Sequence, residues 1–589
     1  MNAMLTLAAA LAVTAMCAAE PQVPAGGQVL VAGEPSPDWT GRYEQGYSEV
    51  AQVQGPGFSR AVRVTTAERT APWNVQFRVP VNAPVAKGDV LLLEFWARCL
   101  RTEDESGQGY IRACVEKRDR PWTKSLERTV TVGYRWQRFL LPCTCREDYG
   151  PGGLYLAFGT GQVPQVIEIG GIRLISYDKR LSADDLPRTR VTYAGREPDA
   201  AWRKEAFERI ERIRTAPLVV RVVDEAGRAV AGAKVQVTMV QPAFQFGCAV
   251  PAWTIADQQD PSNARRRQAF LELFNAGSFV NALKWPPWVG DWGKRFSREV
   301  VFTALNWFKE HDLHFRGHVL IWPGWRHLPR FMRAYRGHPD PQVIRREVLK
   351  HIDDITTATR GYVEEWDVIN EPYHNHDLMD ICGRDLLVEC FKRARHNLPD
   401  ARLALNDFGI LTALTDDAHQ AHYEQTIQYL LDNGAPLTVL GMQGHFGGTV
   451  PPPARMLKVL DRYARFGLPI RITEFTVGTD DEQLRADFLR DALIVAYSHP
   501  AVIGFQFWGL GTLFDREMRP RPALAAYKDL VLGRWRTRLE GRTDPMGRFA
   551  GRGHLGRYNV KATLNGRLAE GTLELTRAGQ AAELTLPLR

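Results

Sequence analysis

Eight short apolar segments recur within residues 244–532, and this repetition constrains the fold more than any other feature of the sequence. They begin roughly thirty to fifty residues apart, with amphipathic stretches such as 345–356 and 481–496 in the intervals. Eight repeats of an apolar strand and an amphipathic helix are typical of a (β/α)8 TIM barrel. The eight segments are FQFGCAV, GSFVNAL, HFRGHVLIW, YVEEWDVIN, RLALNDF, LTVLGMQGH, LPIRITEF and VIGFQFW.

Residues 25–178 predict a separate, all-β domain. Runs such as AVRVTTAE and DVLLLEFWARC alternate polar and apolar residues between Gly, Pro and Asp, without a convincing helix. This pattern is typical of a β-sandwich, and the segment resembles the jelly-roll carbohydrate-binding modules of secreted polysaccharide enzymes. Its aromatic residues either stack on sugars or pack in the core, and the core is favoured for Trp136. The others are Trp39, Tyr43, Tyr47, Trp73, Tyr110 and Trp122.

Two further segments, residues 217–243 and 533–589, are predicted to form one small β-sandwich. Each contains strands and glycine turns but too little apolar surface to fold alone. The stretches LVVRVVDEAGRAVAGAKVQV and TDPMGRFAGRGHLGRYNV resemble the two halves of transthyretin-like, carboxypeptidase-regulatory sandwiches. The barrel would then be inserted between these halves. Residues 179–216 read as a linker whose helix packs on a neighbour through Trp202, Phe207, Ile210 and Ile213.

Length and charge narrow the classes of partner. At 589 residues the chain exceeds what one core usually supports, so two to four domains are expected. The net charge is +8, but acidic and basic residues are mixed along the chain. The densest basic run, Arg265, Arg266 and Arg267, reads as a solvated helix face, so no nucleic-acid partner is predicted. No later segment is apolar for long enough to span a membrane, and no oligomeric state is predicted.

The first residues, MNAMLTLAAALAVTAMCAA, predict export. The apolar stretch is too short to span a bilayer and ends in small residues, although a basic start is missing. We expect residues 1–19 to be a signal peptide cleaved near Ala19, giving a secreted or periplasmic protein. A lipoprotein anchor at Cys17 is a weaker alternative because Met16 fits that signal poorly. Seven cysteines remain, an odd number, so at least one thiol is free or bonded to another chain, and pairing among the four N-terminal ones stays open.

Seven of the eight barrel segments end in polar or aromatic residues. Strand C-termini and the loops after them form the active face of such barrels. Two of the ends carry carboxylates, Glu371 and Glu474, and glycoside hydrolysis needs two carboxyl groups flanking an anomeric carbon. The structural alternative is that either glutamate merely pairs with Arg316 or Arg471. The ends are Asn281 and Lys284, His318 and Trp322, Asn370 and Glu371, Asn406 and Asp407, Gln443 and His445, Glu474, and Trp508.

Five motifs make this pattern specific: RGHVLIW (316–322), WDVINE (366–371), LND (405–407), GMQGH (441–445) and RITEF (471–475). Across roughly 290 residues they resemble glycoside hydrolase family 10, the endo-β-1,4-xylanase barrel family, in its plant-type branch. The resemblance implies a secreted, retaining endo-β-1,4-glycanase that hydrolyses a polysaccharide, xylan first, by double displacement. No nucleotide-binding glycine motif occurs before a helix, and the His374–His376 run lacks further acidic ligands at useful spacing, so neither a cofactor nor a metal is predicted.

Residue roles carry over by motif. Glu371 would be the acid/base and Glu474 the nucleophile, with the pKa of the acid raised and the nucleophile ionised. Asn370 would hydrogen-bond the 2-hydroxyl of the sugar, and His445 would orient Glu474. The other sugar-binding residues implied are Asn281, Lys284, His318 and Gln443, with Trp322 and Trp508 as stacking walls.

Several departures from the family pattern predict an altered, more open site. The chain has Pro323, Gly324 and Trp325 where a polar pair usually follows Trp322, Thr476 in place of a supporting aspartate, Val280 in place of an acidic residue, and no second tryptophan beyond Trp508. Two alternatives therefore stay open. One is the same retaining machinery on another or a decorated β-glycan, and the other is a glycan-binding protein with weakened catalysis.

Overall fold

The computed structural model of the chain describes residues 22–104, 107–189, 192–413 and 418–588. The predicted signal peptide, including Cys17, lies outside these residues. The chain forms two compact units, the first of which ends near residue 190. In the part described, no helix is both long and apolar enough to cross a membrane.

The first unit is a sandwich of two antiparallel sheets. Its strands are β1 (Gln28–Val31), β2 (Arg42–Tyr43), β3 (Gly46–Gly55), β4 (Phe58–Thr66), β5 (Gln76–Val81), β6 (Val90–Thr102), β7 (Gly109–Lys117), β8 (Lys124–Val132), β9 (Gln137–Thr144), β10 (Leu154–Gly159) and β11 (Gln165–Ser176). One sheet has the order β2-β3-β4-β11-β6-β9, with β1 also paired to β11, and the other has the order β5-β10-β7-β8. Alternate residues of both sheets meet in one core, where the rings of Phe95 and Phe158 lie 5.2 Å apart.

Trp136 is half-buried among side chains of its own sheet. Its Nε1 donates to the Gln54 carbonyl at 3.1 Å, and its ring meets Phe58 edge-on at 5.0 Å. Trp73 and Trp122 are more exposed, at 57% and 42%. The seven cysteines of the described ranges, from Cys99 to Cys390, are all buried.

The second unit contains fifteen strands among the residues described. They are β12 (Thr215–Val223), β13 (Lys234–Pro242), β14 (Gln245–Val250), β15 (Ala276–Phe279), β16 (His314–Gly317), β17 (Glu365–Asn370), β18 (Arg402–Asp407), β19 (Val439–Phe446), β20 (Ile470–Val477), β21 (Val502–Phe507), β22 (Arg538–Arg542), β23 (Arg548–His554), β24 (Gly556–Leu564), β25 (Arg567–Leu575) and β26 (Ala582–Pro587). Strands β14 to β21 close a parallel barrel in sequence order, with β21 beside β14. Each of the eight predicted apolar segments supplies one strand, so the predicted barrel is confirmed.

Twelve α-helices are described, eleven of them around the barrel. They are α1 (Ala201–Arg214), α2 (Ala252–Ala256), α3 (Pro261–Leu273), α4 (Trp285–Trp288), α5 (Arg298–Glu310), α6 (Pro341–Ala358), α7 (Asp377–Cys382), α8 (Asp385–Asn397), α9 (Ala418–Asp432), α10 (Pro453–Ala464), α11 (Glu482–Ser498) and α12 (Pro522–Tyr527). Four of the long helices, α3, α5, α6 and α11, begin at side-chain caps that accept a backbone N–H: Asp260, Ser297, Asp340 and Asp481.

Strands from both ends of the second unit interleave in a small two-sheet structure. Its sheets have the orders β23-β12-β26 and β22-β13-β24-β25, so each early strand lies between two late ones. Residues such as Val220, Val237 and Val560 are fully buried between the sheets. Because both early strands are flanked on each side, neither set of strands can be removed without exposing backbone hydrogen-bonding groups.

Helix α1, in the predicted linker, packs on α11 of the barrel. Ala206 and Ile210 are buried, and Trp202 and Phe207 pack against the barrel core. Arg203 pairs with Asp491 on α11 at 3.1 Å, where the Asp491 side chain is completely buried. The linker is therefore part of the folded unit.

Candidate active site

Glu371 is the first residue after β17, and the backbone turns sharply there. Its φ is +56°, a region that residues other than glycine rarely adopt. Pro372 follows, which cannot donate to a strand ladder. The Glu371 N–H donates to the Asn406 carbonyl on β18 at 2.8 Å and anchors the turn. The strand thus ends with the Glu371 side chain held, 3% exposed, among the strand C-termini.

Three amide groups contact the Glu371 carboxyl group. Asn370 Nδ2 and Gln443 Nε2 donate to Oε1 at 3.1 and 2.9 Å. Asn375 Nδ2 lies 3.4 Å from Oε2, a much weaker contact. Because Oε1 already accepts two N–H groups, its lone pairs are occupied. Oε2 is therefore the oxygen that can carry and transfer a proton.

Glu474, on β20, is held as an anion. Asn406 Nδ2 donates to Oε1 at 2.8 Å, and His445 Nε2 lies 3.1 Å from Oε2. His318 Nδ1 lies 3.8 Å from Oε1. Burial by itself raises the pKa of Glu474, but the charge of His318 and the hydrogen bond from His445 outweigh it. The pKa falls to about 2, so the carboxylate is ionised at neutral pH.

Asn406 connects the surroundings of the two carboxylates. Besides Glu474, its Nδ2 donates to Asn370 Oδ1 at 2.9 Å, and its own Oδ1 accepts from Thr473 Oγ1 at 2.7 Å. An unbroken chain of side-chain amides thus runs from Glu371 through Asn370 and Asn406 to Glu474. The two carboxylates belong to one network at one end of the barrel.

Arg316 and Arg471 form their ion pairs with carboxylates other than Glu371 and Glu474. Neither glutamate is therefore explained as the structural partner of these arginines. Arg471 contacts Glu365 at 2.7 and 3.0 Å. Arg316 lies 3.2 Å from Glu365 and also binds Asp367. Burial raises the pKa of Glu365, but the charges of Arg471 and Arg316 outweigh it and lower the pKa. Simple ion pairing therefore accounts for Glu365 and Asp367, which lie on β17 before Glu371.

His318, Asp367 and Glu474 are the one group in the described ranges whose ligand atoms lie close enough to hold a metal, within 4.8 Å of one another. His318 Nδ1 already bonds Asp367 Oδ2 at 2.8 Å. Arg316 binds the same carboxylate, and a fixed guanidinium beside a ligand disfavours a second cation. The cluster is therefore better suited to orient His318 toward Glu474 than to bind a metal.

His445 is supported by Thr476, which stands where the family has an aspartate. Its Nδ1 lies 3.0 Å from Thr476 Oγ1. Because the Glu474 carboxylate only accepts, Nε2 must carry a proton and donate to it. The Thr476 hydroxyl can donate to a neutral ring or accept from a charged one. The substitution keeps the orientation of His445 but removes a charge from behind it.

The predicted sugar-binding residues lie beside these groups. Lys284 Nζ donates to Asn281 Oδ1 at 2.9 Å and lies 4.9 Å from the centre of the Trp322 ring. The Trp508 ring meets His318 edge-on at 5.0 Å and His445 at 6.2 Å. The Trp322 ring also meets His318 edge-on at 6.4 Å, and through these contacts all ten predicted site residues form one connected set.

One face of Trp322 is covered by the protein itself. The His327 ring stacks on it with centroids 3.5 Å apart and planes 6° apart. A sugar that stacks on Trp322 must therefore use the other face.

Several residues of the site were given no role from the sequence, although Asn406 was noted among the polar strand ends. Asn406, Asp367 and Thr473 occur inside recognised motifs as polar residues in buried strands, and that placement is a signal in itself. His327 gave no such signal because the loop after Trp322 departs from the family pattern, and no motif singled out Asn375.

Comparison with known proteins agrees with this geometry. The model of glycosyl hydrolase family 10 matches residues 236–529. Anti-sigma-I factor RsgI6 from Acetivibrio thermocellus is 27% identical over 65% of the chain, and endo-1,4-beta-xylanase 1 from Arabidopsis thaliana is 27% identical over 61%. The chain spans 50% and 37% of the lengths of these two proteins.

The crystal structure of xylanase 10B from Thermotoga petrophila with xylobiose is similar over 49% of the chain and 94% of that protein, with 22% identity and a TM-score of 0.44. The family match covers all eight barrel strands and both carboxylates. The chain therefore belongs to glycosyl hydrolase family 10, and its residues 236–529 form an endo-xylanase-like glycoside hydrolase domain.

Proposed function

We propose that the protein is a retaining endo-β-1,4-glycanase that hydrolyses internal bonds of xylan. The observation that carries this proposal is that the two carboxylates share one network of side-chain amides, while only Glu474 is described with histidines beside it. His318 and His445 lie beside Glu474 and lower its pKa, whereas the side-chain amides of Asn370 and Gln443 donate to the carboxyl group of Glu371. Two carboxyl groups in such different settings suit a nucleophile and a proton donor.

In the first step, Glu371 Oε2 gives its proton to the glycosidic oxygen as the bond to the anomeric carbon breaks. Glu474 Oε1 or Oε2 attacks that carbon and forms a glycosyl ester. In the second step, Glu371 Oε2 takes a proton from water, and the resulting hydroxide displaces Glu474. His445 and Asn406 hold the Glu474 carboxylate in place for both steps.

Asn370 and the hydrogen-bonded pair of Lys284 and Asn281 suit the binding of a sugar. The Asn370 side chain lies between both carboxylates, where a 2-hydroxyl would lie in the transition state. Lys284 and Asn281, in the segment that follows β15, offer N–H and carbonyl groups. Polar groups of this kind suit a polyhydroxylated ligand.

The test is the release of reducing ends from xylan by the full chain and by Glu371→Ala and Glu474→Ala variants. Glu364→Ala is a matched control, because this exposed glutamate precedes β17 and pairs only with His314 among the described ion pairs. We expect each site variant to lose at least about a thousandfold in kcat and the control to keep its activity. Binding of xylan without release by the unaltered chain would instead favour the glycan-binding alternative.

The choice of glycan is tested with a panel of aryl β-glycosides and polysaccharides. The replacement of a polar pair by Pro323, Gly324 and Trp325 and the absence of a second tryptophan beyond Trp508 motivate including decorated substrates. Higher kcat/KM on xylan and aryl xylobioside than on cellulosic or mannan substrates supports the proposal. A preference for another backbone would replace xylan as the substrate.

We further propose that the protein is exported and that residues 25–178 bind glycan. The sequence of residues 1–19 motivates the first part, and exposed aromatic residues such as Trp73 motivate the second. N-terminal sequencing of protein from the medium or periplasm should begin after Ala19. Retardation of the full chain in xylan-containing native gels should weaken on Trp73→Ala substitution, with Tyr134→Ala as an exposed aromatic control.

A further inference from the structure

The turn after Trp322 brings His327 to the loop that carries Glu371. Residues Trp325–His327 form a 3-10 turn that lays the His327 ring on Trp322. Arg326 Nε donates to His327 Nε2 at 2.8 Å. A guanidinium can only donate, so Nε2 must present a lone pair and the ring proton must be on Nδ1. The tautomer of His327 is thus fixed by its neighbour in the chain.

His327 remains neutral over the whole range in which a glycoside hydrolase works. Burial, and then the charges of Arg326 and Lys284, lower its pKa to about 3. A hydrogen bond between the His327 and Asn375 side chains acts in the opposite direction. Since the protonated Nδ1 is the donor in that bond, Asn375 Oδ1 is the acceptor. The Asn375 amide nitrogen is then directed away from His327.

Asn375 is buried and directs that nitrogen to Glu371. Its backbone N–H donates to the Glu371 carbonyl at 3.1 Å, and Nδ2 donates to the same carbonyl at 3.2 Å. Nδ2 also lies 3.4 Å from Glu371 Oε2, the oxygen assigned to proton transfer. Gly324 leaves the necessary room, because a Cβ at this position would lie 2.7 Å from Asn375 Oδ1.

We propose that Asn375 is a positioning residue for the acid/base and that Arg326 and His327 fix its amide so that an N–H always faces Glu371 Oε2. The inference rests on the proposed role of Glu371. When Oε2 gives its proton to the departing oxygen, the negative charge that develops there meets an N–H group already in place. If the amide were reversed, its oxygen would face Oε2 and hold the proton there.

Other charged groups occupy the elements around Glu371, and they remain unchanged in the variants below. They are Asp367 on β17, Asp407 at the end of β18, His445 on β19, Glu474 on β20, His318 after β16, and His374 and His376 on the loop after Glu371. A shift of the alkaline limb of kcat/KM that appears only when Arg326, His327 or Asn375 is altered therefore reports on Asn375.

The first test is the alkaline limb of kcat/KM, which follows deprotonation of the acid/base. Asn375→Ala removes the N–H, so the limb should move to higher pH by about half to one unit. Gly324→Ala displaces Asn375 without removing a polar group and should shift the limb in the same direction. His338→Ala is the control, an exposed histidine of the same connection whose Nδ1 contacts only Asp340 among the described hydrogen bonds.

The second test separates the effect of the hydrogen bond from His327 to Asn375 from the effect of ring packing. His327→Ala should shift the limb as Asn375→Ala does, and His327→Gln, which keeps an N–H donor, should restore part of the original profile. Each variant is also titrated by carbon-13 NMR with labelled glutamate, and the Glu371 signal is assigned by its loss in Glu371→Gln. The titration requires no turnover, so it decides the inference even if xylan is not hydrolysed. Unshifted titration in Asn375→Ala, or wild-type behaviour in His327→Ala, would overturn it.

Discussion

Replacing Glu474 by glutamine should make the folded barrel less sensitive to acid. The pKa of this carboxyl falls from 4.5 to about 2 in the folded protein, which corresponds to about 3 kcal/mol of stability at neutral pH. Because the folded-state pKa is the lower one, this stability is present above pH 4.5 and is lost as the pH falls toward 2. About 2 kcal/mol of it should disappear between pH 6 and pH 3.

The assay is urea unfolding followed by tryptophan fluorescence at each pH between 6 and 3. The free energy of unfolding of the unaltered chain should fall by about 2 kcal/mol more than that of Glu474→Gln. Glu364→Gln is the control, because its side chain is half-exposed and pairs with His314 at the surface, so its effect should stay within about 0.5 kcal/mol. Parallel pH curves for the unaltered chain and Glu474→Gln would refute the claim that His318 and His445 hold Glu474 as an anion.

Three further changes test the network and its support. Asn406→Ala should lower kcat about a hundredfold while circular dichroism stays unchanged, because one amide serves both carboxylate neighbourhoods. Arg203→Ala should lower the free energy of unfolding by about 2 kcal/mol in urea melts, since the buried Asp491 would lose its hydrogen bonds to Arg203 and keep only those from Arg490 and Tyr193. Gly317→Ala should lower the Tm of the second unit, because a Cβ there would lie 2.4 Å from the Trp366 ring.

The barrel was predictable because its signal repeats. Each strand is short, apolar and followed by an amphipathic helix, so an error at one strand would not have changed the count of eight. Polar residues at strand ends were a second signal, because a buried strand rarely ends in Asn370 and Glu371 without a use for them. Both signals can be read from short stretches of sequence. A parallel barrel then places the ends of all eight strands at one face, so residues noted separately come together there.

The link from His327 through Asn375 to Glu371 was not predictable, because it depends on two loops, after β16 and after β17, that meet only in the fold. The substitution of Pro323 and Gly324 was read as the loss of a polar pair. The structure shows instead a turn that delivers His327 and leaves room for Asn375. Thr476 was likewise read as a loss, but its hydroxyl still contacts His445. Contacts such as those of His327 and Thr476, which replace those of the usual family residues, cannot be predicted from the spacing of residues in the sequence.

The stereochemistry of hydrolysis tests the central claim most directly. Xylan oligomers are cleaved by the full chain in an NMR tube, and the anomeric proton of the new reducing end is followed from the first minutes. Double displacement through Glu474 predicts that the β-anomer appears first and that the α-anomer grows only by later mutarotation. Initial appearance of the α-anomer would mean that water attacks directly and that Glu474 is not the nucleophile.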